Sequence, residues 1–160
     1  MSSLIFNGSS HDLTFYKSDG TQISGPWYAN NIVDSKVKMR FLPDGVYQFL
    51  DTSKPHRHGN ADDTVNGAYG TYGIFRLKPF THNGVSHAGV GVHSGRHSKG
   101  GADHPTHGCI RTTDDVMQAI CYYIVGDALE TLTVMMNYDQ RKKHPHYQGD
   151  PHRYDSIRIA

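Results

Sequence analysis

Short runs in which apolar and polar residues alternate fill much of the first ninety or so positions. A period of two separated by turn residues predicts strands. Leu13-Thr14-Phe15-Tyr16-Lys17, then Ser18-Asp19-Gly20, then Thr21-Gln22-Ile23 is a hairpin pattern in which Asp-Gly supplies the positive φ of a tight turn. Residues 24–45 are loop-rich and close on Leu42-Pro43-Asp44-Gly45, a turn feeding the alternating strand Val46-Tyr47-Gln48-Phe49-Leu50. Residues 51–70 hold Pro, His, Asn, Asp and Gly with little apolar periodicity. That predicts a long surface loop, of a length at which loops are usually functional or disordered. Strands resume over 72–78 and 85–92, the second delivering His93 at its end, and a Gly/Ser/His loop follows over 94–107.

The period then changes to a helical one. Val116, Met117, Ile120, Cys121, Ile124 and Val125 form one apolar face, Thr112 or Thr113 can cap it, and Asp114 and Asp115 fall in the first turn, where carboxylates favour the helix dipole. The helix is expected to run to about Val125. A late strand is expected over 131–137, and after Tyr138 the chain is polar, with a basic and histidine cluster, and reads as a peripheral tail. No repeat or linker divides the chain, so residues 1–160 are expected to form one mainly β domain with one helix. Seventeen glycines and ten tyrosines suit strands and turns better than a bundle.

Charge is nearly balanced, sixteen basic against fifteen acidic residues, so bulk electrostatics call for neither nucleic acid nor an anionic membrane as partner. No apolar run approaches the ~20 residues that span a bilayer. The first thirty residues lack the basic and apolar regions of a secretory signal. A cytoplasmic protein, a trimmed mature form and leaderless export all stay open. Twelve histidines make the net charge climb below about pH 6.5.

The two cysteines differ in setting. Cys121 lies on the apolar helical face and reads as a buried core thiol. Cys109 stands in Thr106-His107-Gly108-Cys109-Ile110-Arg111, among polar residues that offer no apolar face to bury it. A thiol near an imidazole is a potential nucleophile, since only the thiolate attacks a carbonyl carbon well. Gly108 leaves room where the chain must turn and a substrate approach, and Arg111 sets a fixed cation nearby. Cys–His acyl transfer is the chemistry these residues point to.

His93-Ser94-Gly95 followed by Thr106-His107-Gly108-Cys109-Ile110-Arg111 resembles the signature of YkuD-type L,D-transpeptidases, with weaker likenesses at Leu42-Pro43-Asp44-Gly45-Val46-Tyr47 and Gly70-Thr71-Tyr72-Gly73-Ile74. The resemblance implies a β-sandwich-like catalytic fold with a helix after the nucleophile, and attack on the amide before the D-Ala of a peptidoglycan tetrapeptide stem. It implies Cys109 as nucleophile, His93 as base and the Ser94 carbonyl as the group orienting the imidazole. The amides of Gly108 and Cys109 would line an oxyanion hole, with His107 and Arg111 beside the substrate, and no cofactor or metal is implied. A short chain of this kind is also similar to L,D-transpeptidase-related effectors injected into rival bacteria, whose partners would include a secretion apparatus and an immunity protein.

Two rival readings have features of their own. Residues 94–103 resemble the zinc motif of D-Ala-D-Ala peptidases, with His97 and Asp103 as ligands, but the spacing is one residue short and no downstream Glu-x-x-His pair follows Glu130. The pairs His56/His58 and His144/His146 could hold a metal without catalytic purpose. The other rival is an inactive cell-wall-binding module. For His87, on a strand of small alternate residues, a structural role is expected.

Overall fold

A computed structural model describes residues 1–34, 41–96 and 101–140. In chain order the first strands are β1 (Ser2–Asn7), β2 (Asp12–Tyr16), β3 (Gln22–Tyr28), β4 (Gly45–Gln48) and β5 (Phe75–Arg76). There follow β6 (Phe80–His82), β7 (Val85–His87), β8 (Gly91–His93), β9 (Ile110–Arg111), the helix α1 (Asp114–Tyr123) and β10 (Leu129–Met135). Short 3-10 turns occupy Ala61–Asp63 and Gly101–Asp103.

Alternation of apolar residues decides which side of the large sheet is covered. Leu4 and Phe6 of β1, Leu13 and Phe15 of β2, and Leu129, Leu132 and Val134 of β10 all point inward and are buried. These strands form a five-stranded sheet in the order β3-β2-β1-β10-β4, with β1 and β10 parallel and the remaining pairs antiparallel. The predicted hairpin is present: the Lys17 N–H donates to the Thr21 carbonyl at 2.9 Å, and Gly20 takes φ 84° in the turn.

A second sheet, ordered β5-β8-β9, carries the candidate chemistry. Its Phe75, Val92 and Ile110 share one apolar core with the large sheet and with Val116, Met117 and Ile120 of α1. Among the described residues the architecture is therefore mainly β, with one helix after Cys109, as expected, and β6 and β7 form a separate two-stranded sheet. Thr113 caps α1, its hydroxyl accepting from the Val116 N–H at 3.4 Å. Among the described residues no helix is long and apolar enough to cross a membrane.

Several expectations need correction in detail. The run 85–92 is not one strand: it breaks between β7 and β8, where Gly89 takes φ 74°. β3 reaches Tyr28, well into a stretch read as loop, and β1 was not foreseen at all. The helix stops at Tyr123, and Val125 is 80 % exposed. Gln140 is buried rather than peripheral: its amide oxygen accepts from the Asn31 N–H at 2.8 Å, and its amide nitrogen donates to the Gly8 carbonyl at 3.3 Å. The basic and histidine cluster beyond it, with His144 and His146, lies outside the described residues.

Candidate active site

β8 and β9 run parallel, with Val92 opposite Ile110 and His93 opposite Arg111. Cys109 therefore enters the ladder one position before Ile110, and His93 stands two positions further along the neighbouring strand. Side chains two apart share a face of a sheet. Two residues distant in sequence are thus diagonal neighbours on one wall of a cavity of about 450 Å³, which both line together with Tyr69, Arg96, His104, His107 and Arg111.

The Cys109 turn is shaped by polar side chains around it. The Thr106 hydroxyl donates to the Cys109 carbonyl at 2.7 Å and accepts from the Gly108 N–H at 3.1 Å. Gly108 has φ 132°, a conformation that only glycine adopts without strain. Asn31, fully buried, donates from its amide nitrogen to the carbonyls of Gly108 and Cys109 at 2.9 and 3.0 Å, while its oxygen accepts from the Leu42 N–H and the Asn137 side chain. The amide expected in the oxyanion hole at Gly108 is thus engaged by Thr106.

Burial sets the electrostatics. Cys109 is only 7 % exposed, contrary to the expectation that nothing would cover it, because the clamped turn runs straight into the core strand β9. Its thiol donates to the Gly89 carbonyl at 3.7 Å. Burial pushes that thiol up to about 11, against the opposing pull of the Gly91 N–H and the Arg111 charge. His93 is also buried, and burial, followed by repulsion from Arg111, takes its pKa down to about 3. At neutral pH the pair is therefore a neutral thiol beside a neutral imidazole, and not a standing thiolate. Cys121 is half-buried, packed against the core cluster rather than enclosed in it.

The imidazole is held from behind. His93 Nδ1 lies 2.7 Å from the Ser94 carbonyl, which can only accept, so Nδ1 carries the proton and Nε2 is left as a base. The same carbonyl accepts from Arg111 Nε at 3.2 Å. The Arg111 guanidinium also donates to the carbonyls of His104 at 3.1 Å, Pro105 at 2.8 Å and Ala68 at 2.7 Å. At 3 % exposure, with that many main-chain partners, Arg111 organises three segments of the cavity wall and lends its charge to it. His107 is exposed on the cavity rim.

Several neighbours were not singled out by sequence reasoning. Tyr69 sets its ring edge-on to His93, with centroids 5.1 Å apart, and His58 stacks on Tyr69 at 4.2 Å. Only membership of a long loop marked Tyr69, and His58 was marked only as a possible metal ligand. Asp114, read as a helix-dipole residue, accepts from the Ser94 hydroxyl at 2.6 Å. His87 has the structural role expected, stacked on Phe80 at 5.0 Å.

The zinc motif does not assemble among the described residues. Asp103 accepts from the Tyr28 hydroxyl and from the Asn30 amide, and His97 lies outside the described residues. Among those described, no three His, Cys, Asp or Glu side chains come close enough to hold a metal ion. His58 instead pairs with Asp63 at 3.3 Å.

Comparison with solved structures finds likenesses of fold at low sequence identity. Bd1075 from Bdellovibrio bacteriovorus matches with a TM-score of 0.59 at 16 % identity, over 98 % of this chain and 54 % of that one. An L,D-transpeptidase (Yku) from Stackebrandtia nassauensis matches with a TM-score of 0.49 at 14 % identity, over 85 % of this chain and 56 % of that one. An L,D-transpeptidase from Mycobacterium smegmatis matches with a TM-score of 0.45 at 20 % identity, over 84 % and 58 %. The chain thus spans little more than half the length of the structures it resembles, and the likeness is one of fold. No family profile and no curated protein matches the sequence.

Proposed function

We propose that this protein is a cysteine acyl-transfer enzyme acting on the stem peptides of peptidoglycan, as an L,D-transpeptidase, an amino-acid exchanger or an L,D-carboxypeptidase. The observation that carries the reading is the sharing of one cavity wall by Cys109 and His93, with the imidazole Nδ1 tied to the Ser94 carbonyl. That arrangement matches the division of labour of a thiol nucleophile, its base and a group that orients the base.

The neutral pair sets the order of events. Cys109 Sγ attacks the amide carbonyl before the terminal D-Ala while its proton passes to His93 Nε2. The tetrahedral oxyanion forms in a buried site beside the Arg111 charge, where fixed electrostatics act strongly. The C–N bond then breaks, the leaving amine takes the proton from Nε2, and a thioester remains on Cys109. An incoming amine resolves it to a new amide and water to a carboxylate, with the thiol restored in either case. Arg111 holds the Ser94 carbonyl and the loop bearing His104 and Pro105 rather than gripping substrate. Since peptidoglycan lies outside the cytoplasmic membrane, we propose action in the periplasm or beyond the cell, as a housekeeping enzyme or as an injected effector.

Incubating the protein with a disaccharide tetrapeptide, with and without free glycine, and weighing the products tests this directly. Loss of one D-Ala, or its replacement by glycine, is expected from the wild type in the presence of EDTA and not from Cys109→Ala. Turnover that survives Cys109→Ala, or that EDTA abolishes and zinc restores, would overturn the thiol reading in favour of a metallopeptidase.

A further inference from the structure

The Ser94 carbonyl orients His93, and it is held from two sides: by Arg111 Nε, which donates to it, and through the Ser94 side chain. Ser94 is fully buried, and its hydroxyl donates to Asp114 Oδ1 at 2.6 Å. Asp114 accepts twice more from the loop before β5: from the Thr71 N–H at 3.2 Å and from the Thr71 hydroxyl at 2.5 Å. Its carboxylate opens α1, where the helix N-terminus favours a negative charge. Hydrogen bonds to an ionised acceptor are the shorter and stronger kind.

Three segments therefore converge on one carboxylate: the loop that brings Tyr69 against His93, the Ser94 main chain, and the helix that follows the Cys109 strand. Packing at this junction is tight. A Cβ placed on Gly70 would stand 2.0 Å from the Ser94 hydroxyl oxygen and 2.9 Å from Asp114 Oδ1. The neighbouring first-turn carboxylate, Asp115, is exposed.

We propose that Asp114 is a positioning residue for His93: by holding the Ser94 hydroxyl it helps fix the carbonyl that receives the imidazole Nδ1 proton, and so keeps the imidazole in place on the cavity that Cys109 shares. The inference rests on the acyl-transfer reading for its kinetic consequence, though not for its structural one. Asp114 touches no reacting atom and acts through Ser94 and then His93. Removing it leaves the Ser94 carbonyl to Arg111 alone and loosens the imidazole, which lowers the chemical rate constant without changing how substrate binds.

The test compares Asp114→Ala, Ser94→Ala and Asp115→Ala with the wild type in two measurements. In the first, NMR of histidine-labelled protein follows the His93 Nδ1–H resonance. A hydrogen bond of 2.7 Å in a buried site should keep it sharp and slow to exchange in the wild type and in Asp115→Ala. It should broaden or vanish in Asp114→Ala and in Ser94→Ala, the latter a small change that deletes only the hydroxyl. In the second, kcat for tetrapeptide should fall 10- to 100-fold in both, with KM unchanged and the double variant no worse than either single one. Asp115→Ala should lose only what one helix-dipole charge contributes to Tm. An unchanged resonance in Asp114→Ala and Ser94→Ala overturns the proposal whatever the kinetics, and so does a loss in Asp115→Ala that equals theirs. A lost resonance in protein that turns over no substrate even as wild type would keep Asp114 in its role and remove the acyl-transfer reading instead.

Discussion

His93 and Cys109 are ionisable groups whose burial outweighs every favourable interaction of their charged forms, and that combination has a sign in the pH dependence of stability. His93 is held near 3 in the folded chain against an ordinary value of 6.5, so the folded state refuses a proton that the unfolded chain accepts. Its neutral form contributes stability fully above about pH 6.5, and that contribution drains away as pH falls from 6.5 toward 3, at up to ~1.4 kcal/mol per unit. Cys109 acts at the other end: with its thiol raised from 9.0 to about 11, stability is lost as pH climbs through that window. Urea midpoints measured at pH 7, 5 and 4 should fall more steeply for the wild type than for His93→Gln, which has no such proton to refuse. Parallel slopes in the two proteins would mean that the imidazole is not buried as described. The meeting of Cys109 and His93 at one cavity was legible, because both are marked by residue type and local order. Their burial was not, since Asn31 and Thr106, which close the turn over Cys109, announce nothing by themselves.

At the scale of elements, what local pattern governs was readable and what distant pairing governs was not. The Asp19-Gly20 hairpin and the Thr113-capped helix depend on neighbours in sequence, and both stand where expected. β1 pairs locally with β2 and also, in parallel, with β10 from the far end of the chain, and nothing within Ser2–Asn7 records that second partner. The break between β7 and β8 turns on Gly89, which a run of small alternating residues conceals. Loop 51–70 was placed correctly as a loop, yet its end forms a wall of the site. That wall yields a prediction at Gly70, whose φ of 83° suits glycine and whose Cβ would strike the Ser94 hydroxyl. Gly70→Ala should cost roughly 2–4 kcal/mol in stability and most of the acyl-transfer rate, since the clash falls on the loop that seats the imidazole. The measurement is a urea titration beside a rate. A variant of normal stability and rate would show that the 69–71 loop does not meet Ser94 as closely as the structure has it.

Across the whole molecule, the large sheet and the helix serve as the frame that sets two short strands side by side. β8 and β9 are three and two residues long, too short to be stable as a pair on their own. Packing of Val92 and Ile110 into the shared core, with Asn31 and Arg111 tying the surrounding loops, fixes their register. That register is what brings Cys109 and His93 to one cavity, so the central claim is that this thiol, and no other group, accepts an acyl chain there. Intact-mass spectrometry after incubation with a carbapenem measures it most directly, because ring opening by a nucleophile adds the whole reagent once. The wild type and Cys121→Ser should each gain one adduct mass within minutes at pH 7, mapped to the peptide bearing Cys109, while Cys109→Ala and His93→Ala gain none or gain it far more slowly. An adduct on Cys121, an undiminished adduct in Cys109→Ala, or no adduct on a folded wild type would contradict the account.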